Sequence, residues 1–320
     1  MAASALTATP PPAGSPSIAG LMLDRVAVRG MWLRFGHRPA TVTTPRGSVV
    51  VLPGRAEFIE KYGETLEELS GLGFATAILD WRGQGGSDRY LDLRLRGHVP
   101  QVEDYLADLA AVLEQLEQLR LPRPWVMLAH SMGGHIGLRH LHDHPGNFAA
   151  AAMTAPMFGI DLRAMPEPVA AAICRLAIRL GAGRAYAPGQ GDLDLDRRRF
   201  DGNRLTSCPE RYARLRRHLE MSPELALGGV TYGWLGAALR SIALTRRRGY
   251  LEAIATPVLV CQAGCERIVS NRAETAAVRR LPRGRLAVFP EARHEILHER
   301  EPIRRQLFAT IDAFLAENLS

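Results

Sequence analysis

The chain has 320 residues, of which 47 % are hydrophobic and 23 % charged, with a formal net charge of +7. That balance describes an ordinary globular protein, long enough for one large α/β domain with an insertion or for two modest domains. Cys174, Cys208, Cys261 and Cys265 are too few and too irregular for a disulfide framework or a zinc finger, and no apolar run is long enough to cross a bilayer.

Residues 1–20 are rich in Ala, Pro, Ser and Thr, with no basic residue before Arg25 and no apolar core. That composition predicts a flexible leader rather than a signal peptide. Residues 21–47 read as short strands with turns, including Met31-Trp-Leu-Arg-Phe35. Ser48-Val-Val-Val-Leu52 is a short buried strand ending at Pro53-Gly54-Arg55, and a helical pattern runs from Glu57 to about Leu72. The next strand, 74–79, delivers Asp80-Trp-Arg-Gly-Gln-Gly-Gly-Ser87. This stretch lacks the Gly-Lys-Ser/Thr ending of a phosphate loop, so its glycines are expected to shape a tight core turn. Val102, Leu106, Leu109, Leu113, Leu116 and Leu119 recur every three or four positions, the mark of an amphipathic helix.

An apolar strand from Trp125 to Ala129 then meets a turn, His130-Ser-Met-Gly-Gly134, and a helical pattern follows from Ile136. Further strands are predicted at 149–153, 257–261 and 285–289, and a closing helix at 301–317. Strands alternating with helices imply a mostly parallel sheet covered on both faces. The stretch 162–250 breaks the rhythm: it shows helix-like pieces at 169–180 and 211–219 and no clear buried strand. The predicted organisation is therefore a leader at 1–20, an α/β core at 21–161 and 251–320, and a helical cap at 162–250.

The charge is unevenly placed. Residues 160–250 hold 16 arginines against 9 acidic residues, which accounts for the whole excess. Lys61 is the single lysine. The triplets at 197–199 and 246–248 lack interleaved aromatics, so nucleic acid is not expected, and a solvated or lipid-facing surface is. Arg175 and Arg179 stand one turn apart among apolar residues, as on an interfacial helix. His140, His142 and His144 fall short of a metallohydrolase spacing, and no metal is expected.

Ala129-His-Ser131-Met-Gly133 sits between strand and helix, the context of a nucleophile elbow; the plainer reading of Ser131 is a helix N-cap. A serine nucleophile needs a base, a group that orients the base, and donors for the oxyanion. The chain order of an elbow-bearing sheet is serine, acid, histidine. His294, in the loop after the strand ending at Phe289, is the expected base, while His298 falls a turn further on, toward the closing helix. Glu266, after the strand at 257–261, is the expected acid; Asp161 is the alternative. The amides of Met132 and Arg55 are the expected oxyanion donors.

Residues 54–62, 80–88, 129–134, 155–160 and 263–269, with Phe200-Asp-Gly-Asn203 and Gly233-Trp-Leu235, make the chain resemble the α/β-hydrolase family over about residues 20–318. The resemblance is closest to its lysophospholipase L2 and monoacylglycerol lipase-like branch. It implies a triad of Ser131, Glu266 and His294 beneath a helical lid at 162–250. Three departures stand out: Ala129 for glycine, Pro53 for a polar residue, and Glu266 for aspartate. The activity implied is a serine ester hydrolase on a single-chain acyl lipid, lysophospholipid or monoacylglycerol, with no cofactor. The other readings are an aminopeptidase or proline iminopeptidase, which would need an acidic group in a lid that is net basic, and a catalytically silent lipid-binding protein. A cytoplasmic location with peripheral contact to anionic membrane is expected.

Overall fold

The structure, a computed structural model, describes residues 18–163, 165–196 and 199–319. Most of the predicted leader, and Arg197 and Arg198 of the first arginine triplet, lie outside the described residues.

Eight strands form one sheet: β1 (Met22–Val28), β2 (Met31–Arg38), β3 (Ser48–Leu52), β4 (Ala75–Leu79), β5 (Trp125–His130), β6 (Ala150–Thr154), β7 (Val258–Ala263) and β8 (Gly284–Phe289). Their order across the sheet is β1-β2-β4-β3-β5-β6-β7-β8. β1, β2 and β4 pair antiparallel in turn, and every pairing from β4 to β8 is parallel. All five residues of β3 are buried, as a continuous Val-rich run in a doubly covered sheet requires.

Alternate residues of the central strands enter two separate cores. Val50 and Leu52, Met127 and Ala129, and Ala151 and Met153 face one core, while Val49 and Val51, Val126 and Leu128, and Ala150 and Ala152 face the other. The period of two along a strand sends successive side chains to opposite faces, so both faces need helices. α1 (Gly63–Gly71) lies on the second face and α2 (Val102–Gln118) on the first; α2 buries Leu109, Val112, Leu113 and Leu116 there. α3 (Met132–Asp143) follows the elbow onto that same first face.

The long crossing from β6 to β7 holds α4 (Glu167–Arg179), α5 (Pro209–Met221) and α6 (Tyr232–Thr245) and, among the described residues, adds no strand to the sheet. α6 is mostly buried, hence apolar nearly all round, which hides it from a search for one apolar stripe. α7 (Asn271–Val278) packs behind β7, and α8 (Glu301–Asn318) closes the second face with Leu307, Phe308, Ile311, Phe314 and Leu315. Each of those five buried side chains contributes roughly 1.5–3 kcal/mol of apolar transfer.

The stretch 80–87 is the core turn expected. Gly85 has φ +55°, and a Cβ there would fall 2.2 Å from Asp80 Cγ. Asp80 accepts from the Ile59 and Gly86 amides at 2.9 and 2.7 Å and binds Arg34, which also grips Glu60. Gln84 Nε2 donates to the Gly54 and Glu57 carbonyls at 2.8 and 3.0 Å, and Trp81 Nε1 to the Pro53 carbonyl at 2.8 Å. The turn after β4 therefore braces the loop after β3 from below.

Candidate active site

β5 ends at His130, and Ser131 takes φ 51° and ψ −115° before α3 begins. A non-glycine residue held there costs on the order of 1–3 kcal/mol and needs surrounding contacts to hold it. They are present: the Ser131 amide donates to the Thr154 carbonyl at 3.1 Å, and the Ser131 carbonyl accepts from the Met157 amide at 2.9 Å. A Cβ on Gly133 would lie 2.2 Å from the Leu52 carbonyl oxygen, so the turn excludes any larger residue there. Ala129 is fully buried between Leu52 and Met153 on the neighbouring strands, and its methyl group fits that space.

His294 hangs from the loop after β8. Its Nε2 is 3.0 Å from Ser131 Oγ, and its Nδ1 is 2.7 Å from Glu266 Oε2. Glu266 follows β7, and its other oxygen accepts from the amides of Arg267 and Ile268 at 2.8 and 2.7 Å. The side chain of Glu266 is 1 % exposed. Burial pushes its pKa up, but the hydrogen bond and charge of His294, with the Ile268 and Val269 amides, outweigh this and hold it below the usual carboxylate value. Asp161 also lines the cavity but is bonded elsewhere: its amide donates to the Ile268 carbonyl at 3.0 Å, and its carboxylate accepts from the Arg163 amide at 2.8 Å. His298 lies in a short turn ahead of α8 rather than on it, and its Nε2 is 3.2 Å from the Lys61 carbonyl oxygen.

The inserted segment reaches over and ties the histidine loop. The amides of His294 and Glu295 donate to the carbonyls of Arg204 and Leu205 at 3.4 and 2.8 Å. Thr206 Oγ1 donates to the His298 carbonyl at 2.7 Å, and buried Glu299 accepts the Ser207 and Arg293 amides at 3.0 and 2.8 Å.

Met132 opens α3, so its amide has no acceptor within the helix and stands at the positive end of the helix dipole. Arg55 stands across from it on the loop after β3, with its guanidinium donating to the Gly228 carbonyl and lying 5.5 Å from the Trp234 ring. Ser131, Met132, Arg55 and His294 all line one cavity of about 530 Å³. Much of its wall is apolar, with Met157, Ile173, Leu193, Leu215, Leu227 and Trp234.

Four residues of this cavity escape a sequence reading: Glu57, Lys61, His130 and Glu295. The His130 ring lies 4.8 Å from that of His294, tilted 55° to it, and its pKa is pushed down to about 4 by burial, so it is neutral near pH 7. The one local signal for the group was the solitary lysine.

A family model described as serine aminopeptidase, S33 (Hydrolase_4) matches residues 43–301. The chain belongs to this family. Lysophospholipase L2 of Escherichia coli strain K12 is 38 % identical over 311 residues, covering 92 % of this chain and 86 % of that protein. The probable lysophospholipase L2 of Haemophilus influenzae is 29 % identical over 288 residues, covering 90 % and 89 %. Among solved structures, a soluble variant of monoglyceride lipase from Saccharomyces cerevisiae superposes with a TM-score of 0.76 over 98 % of this chain and all of that one, at 18 % identity. The architecture is thus the α/β-hydrolase fold, as the residues at 129–134 and 80–88 led one to expect.

Proposed function

We propose that this member of the Hydrolase_4 family hydrolyses the single acyl ester of a lysophospholipid through an acyl-enzyme on Ser131. The observation that carries the reading is the chain of contacts from Ser131 Oγ through His294 to Glu266 at a cavity with both apolar and charged walls. In this reading His294 Nε2 takes the hydroxyl proton as Ser131 attacks the acyl carbonyl. The Met132 and Arg55 amides hold the oxyanion, and Glu266 stabilises the imidazolium. The alcohol leaves with the proton from His294, and water activated by the same nitrogen releases the fatty acid. The names of the two bacterial relatives favour lysophospholipid over monoacylglycerol. So do Arg163, Arg204 and Arg267 around the cavity, residues of a type suited to a phosphate.

The segment 162–250 acts as the cap of this site and as its contact with anionic membrane. α4 supports that role. On α4, Ala170, Ile173 and Cys174 line the cavity, while Val169 and Leu176, with Leu180 just past its C-terminus, are 48, 59 and 75 % exposed, beside Arg175 and Arg179. An exposed apolar face with arginines suits an anionic lipid surface.

The family description also raises aminopeptidase activity. That chemistry needs a carboxylate for the substrate's amine. The cavity carboxylates Glu57 and Glu295 are engaged by Lys61, and that of Asp161 by the Arg163 amide.

A panel of lysophospholipid, monoacylglycerol, short soluble ester and peptide amide decides among these. The expected order is lysophospholipid first and peptide amide at background, with every activity lost in Ser131→Ala. Cleavage of the amide above the esters would overturn the reading, and so would hydrolysis that survives Ser131→Ala.

A further inference from the structure

Of the 40 lysines and arginines in the chain, Lys61 alone is lysine. Its ammonium is 4 % exposed at the cavity wall, with Nζ 2.5 Å from Glu57 Oε1 and 2.7 Å from Glu295 Oε1. The two carboxylates belong to different parts of the site. Glu57 sits on the loop after β3, and its Oε2 accepts from the Gly54 amide, just ahead of Arg55, and from the Tyr62 hydroxyl. Glu295 directly follows His294. One cation therefore joins the loop that carries the Arg55 amide to the loop that carries the imidazole.

We infer that Lys61 is a positioning residue for ester hydrolysis: through Glu57 and Glu295 it sets the Arg55 amide and the His294 ring in register on either side of Ser131. The inference rests on the roles proposed above for those groups.

Stability is a poor explanation for the cluster. Taking one ammonium and two carboxylates out of water costs several kcal/mol per ion, and well-packed neutral residues often serve stability as well or better. The pair also holds its ions charged. Burial opposes ionisation of Lys61, but Glu295 and Glu57 raise its pKa; burial likewise opposes ionisation of Glu57, but Lys61 leads the groups that lower it. The geometry suits a lysine. The ligand atoms of Glu57, Glu295 and His298 lie within 4.8 Å of one another, a spacing for one compact cation, and Nζ supplies it. A planar guanidinium presents its donors as a rigid fork rather than from one point.

Lys61→Met and the triple variant Lys61→Met, Glu57→Gln, Glu295→Gln separate positioning from stability. On a short soluble ester, Lys61→Met should lose ~10- to 100-fold in kcat with KM within ~2-fold, the scale of an ångström-level misplacement. It should also melt earlier, because two carboxylates are left buried without their cation. The triple variant has no buried charge at the cluster. It should regain thermal stability while kcat stays down by at least ~10-fold. Return of kcat together with stability would reduce Lys61 to a structural role and overturn the inference, as would a folded Lys61→Met with kcat within ~2-fold of the parent. If Lys61→Met does not fold, the triple variant alone decides. Activity that survives Ser131→Ala would instead sink the underlying reading of the site.

Discussion

The sheet and the segment inserted between β6 and β7 treat arginine in opposite ways. Under the sheet, Arg34 and Arg82 are 2 and 1 % exposed, and each is bound to carboxylates: Asp80 and Glu60 for the first, Asp108 for the second. Among the described residues of the inserted segment most arginines are exposed, beside apolar side chains that the fold leaves in solvent; Arg211, held by Glu64 and Glu301, is an exception. Met165, Val169, Ile173, Leu176, Ile178 and Leu180 are all at least 37 % exposed, and α4 buries only Ala170 and Cys174. The core arginines answer to partners inside the chain. The proposed membrane contact assigns those of α4 to a surface outside it. The second arginine triplet marks the boundary: Arg246 is spent on Glu167 and the Phe158 carbonyl, at 2.9 and 3.3 Å.

The sharpest break should come at the site that both regions build. Glu266→Gln keeps the size of the side chain but removes the charge facing His294 Nδ1, and kcat should fall on the order of 10⁴-fold. Asp161→Asn should stay within a few-fold, since that carboxylate caps the Arg163 amide. Ester turnover by the two variants checks this. A crippled Asp161→Asn beside a nearly silent Glu266→Gln would move the acid to the other loop.

Next comes the contrast in stability. Asp108→Ala leaves the Arg82 guanidinium buried without its carboxylate, and the loss should be about 3–5 kcal/mol. Arg175→Gln and Arg179→Gln should change stability by less than ~0.5 kcal/mol each. Urea unfolding of the three variants compares them directly. Equal losses would mean that the inserted segment uses its arginines as the core does.

The smallest effect is on lipid contact. Vesicle co-sedimentation should strengthen with anionic lipid and weaken with salt, by ~1 kcal/mol per basic group at the surface. Leu176→Ser with Leu180→Ser, or Arg175→Gln with Arg179→Gln, should weaken it while hydrolysis of a short soluble ester is unchanged. Binding indifferent to both pairs would leave α4 as a cover for the cavity only.

Much of this protein is local and could be read from the chain. Short Val- and Ala-rich runs punctuated by Pro and Gly mark β3, β5, β6 and β7, because a doubly covered strand must be apolar on both faces. The small residues around Ser131 mark the elbow, because the backbone of β3 leaves no room at Gly133. The alternation of strand and helix marks the α/β class.

What only the tertiary structure decided lies between loops far apart in the chain. Asp161 and Glu266 both follow neighbouring parallel strands and so emerge at the same sheet edge, with the Asp161 amide bonded to Ile268. No nearby residue tells which carboxylate turns to His294; side-chain direction within the folded edge does. α6 was hidden for a related reason, since a helix buried on most sides carries no amphipathic stripe. Lys61 sits in the sequence four residues from one carboxylate partner, but its second partner, Glu295, is at the other end of the chain. A buried ion cluster is closed by whichever residues the sheet order brings together, and that order is a property of long-range strand pairing, not of any local run of residues.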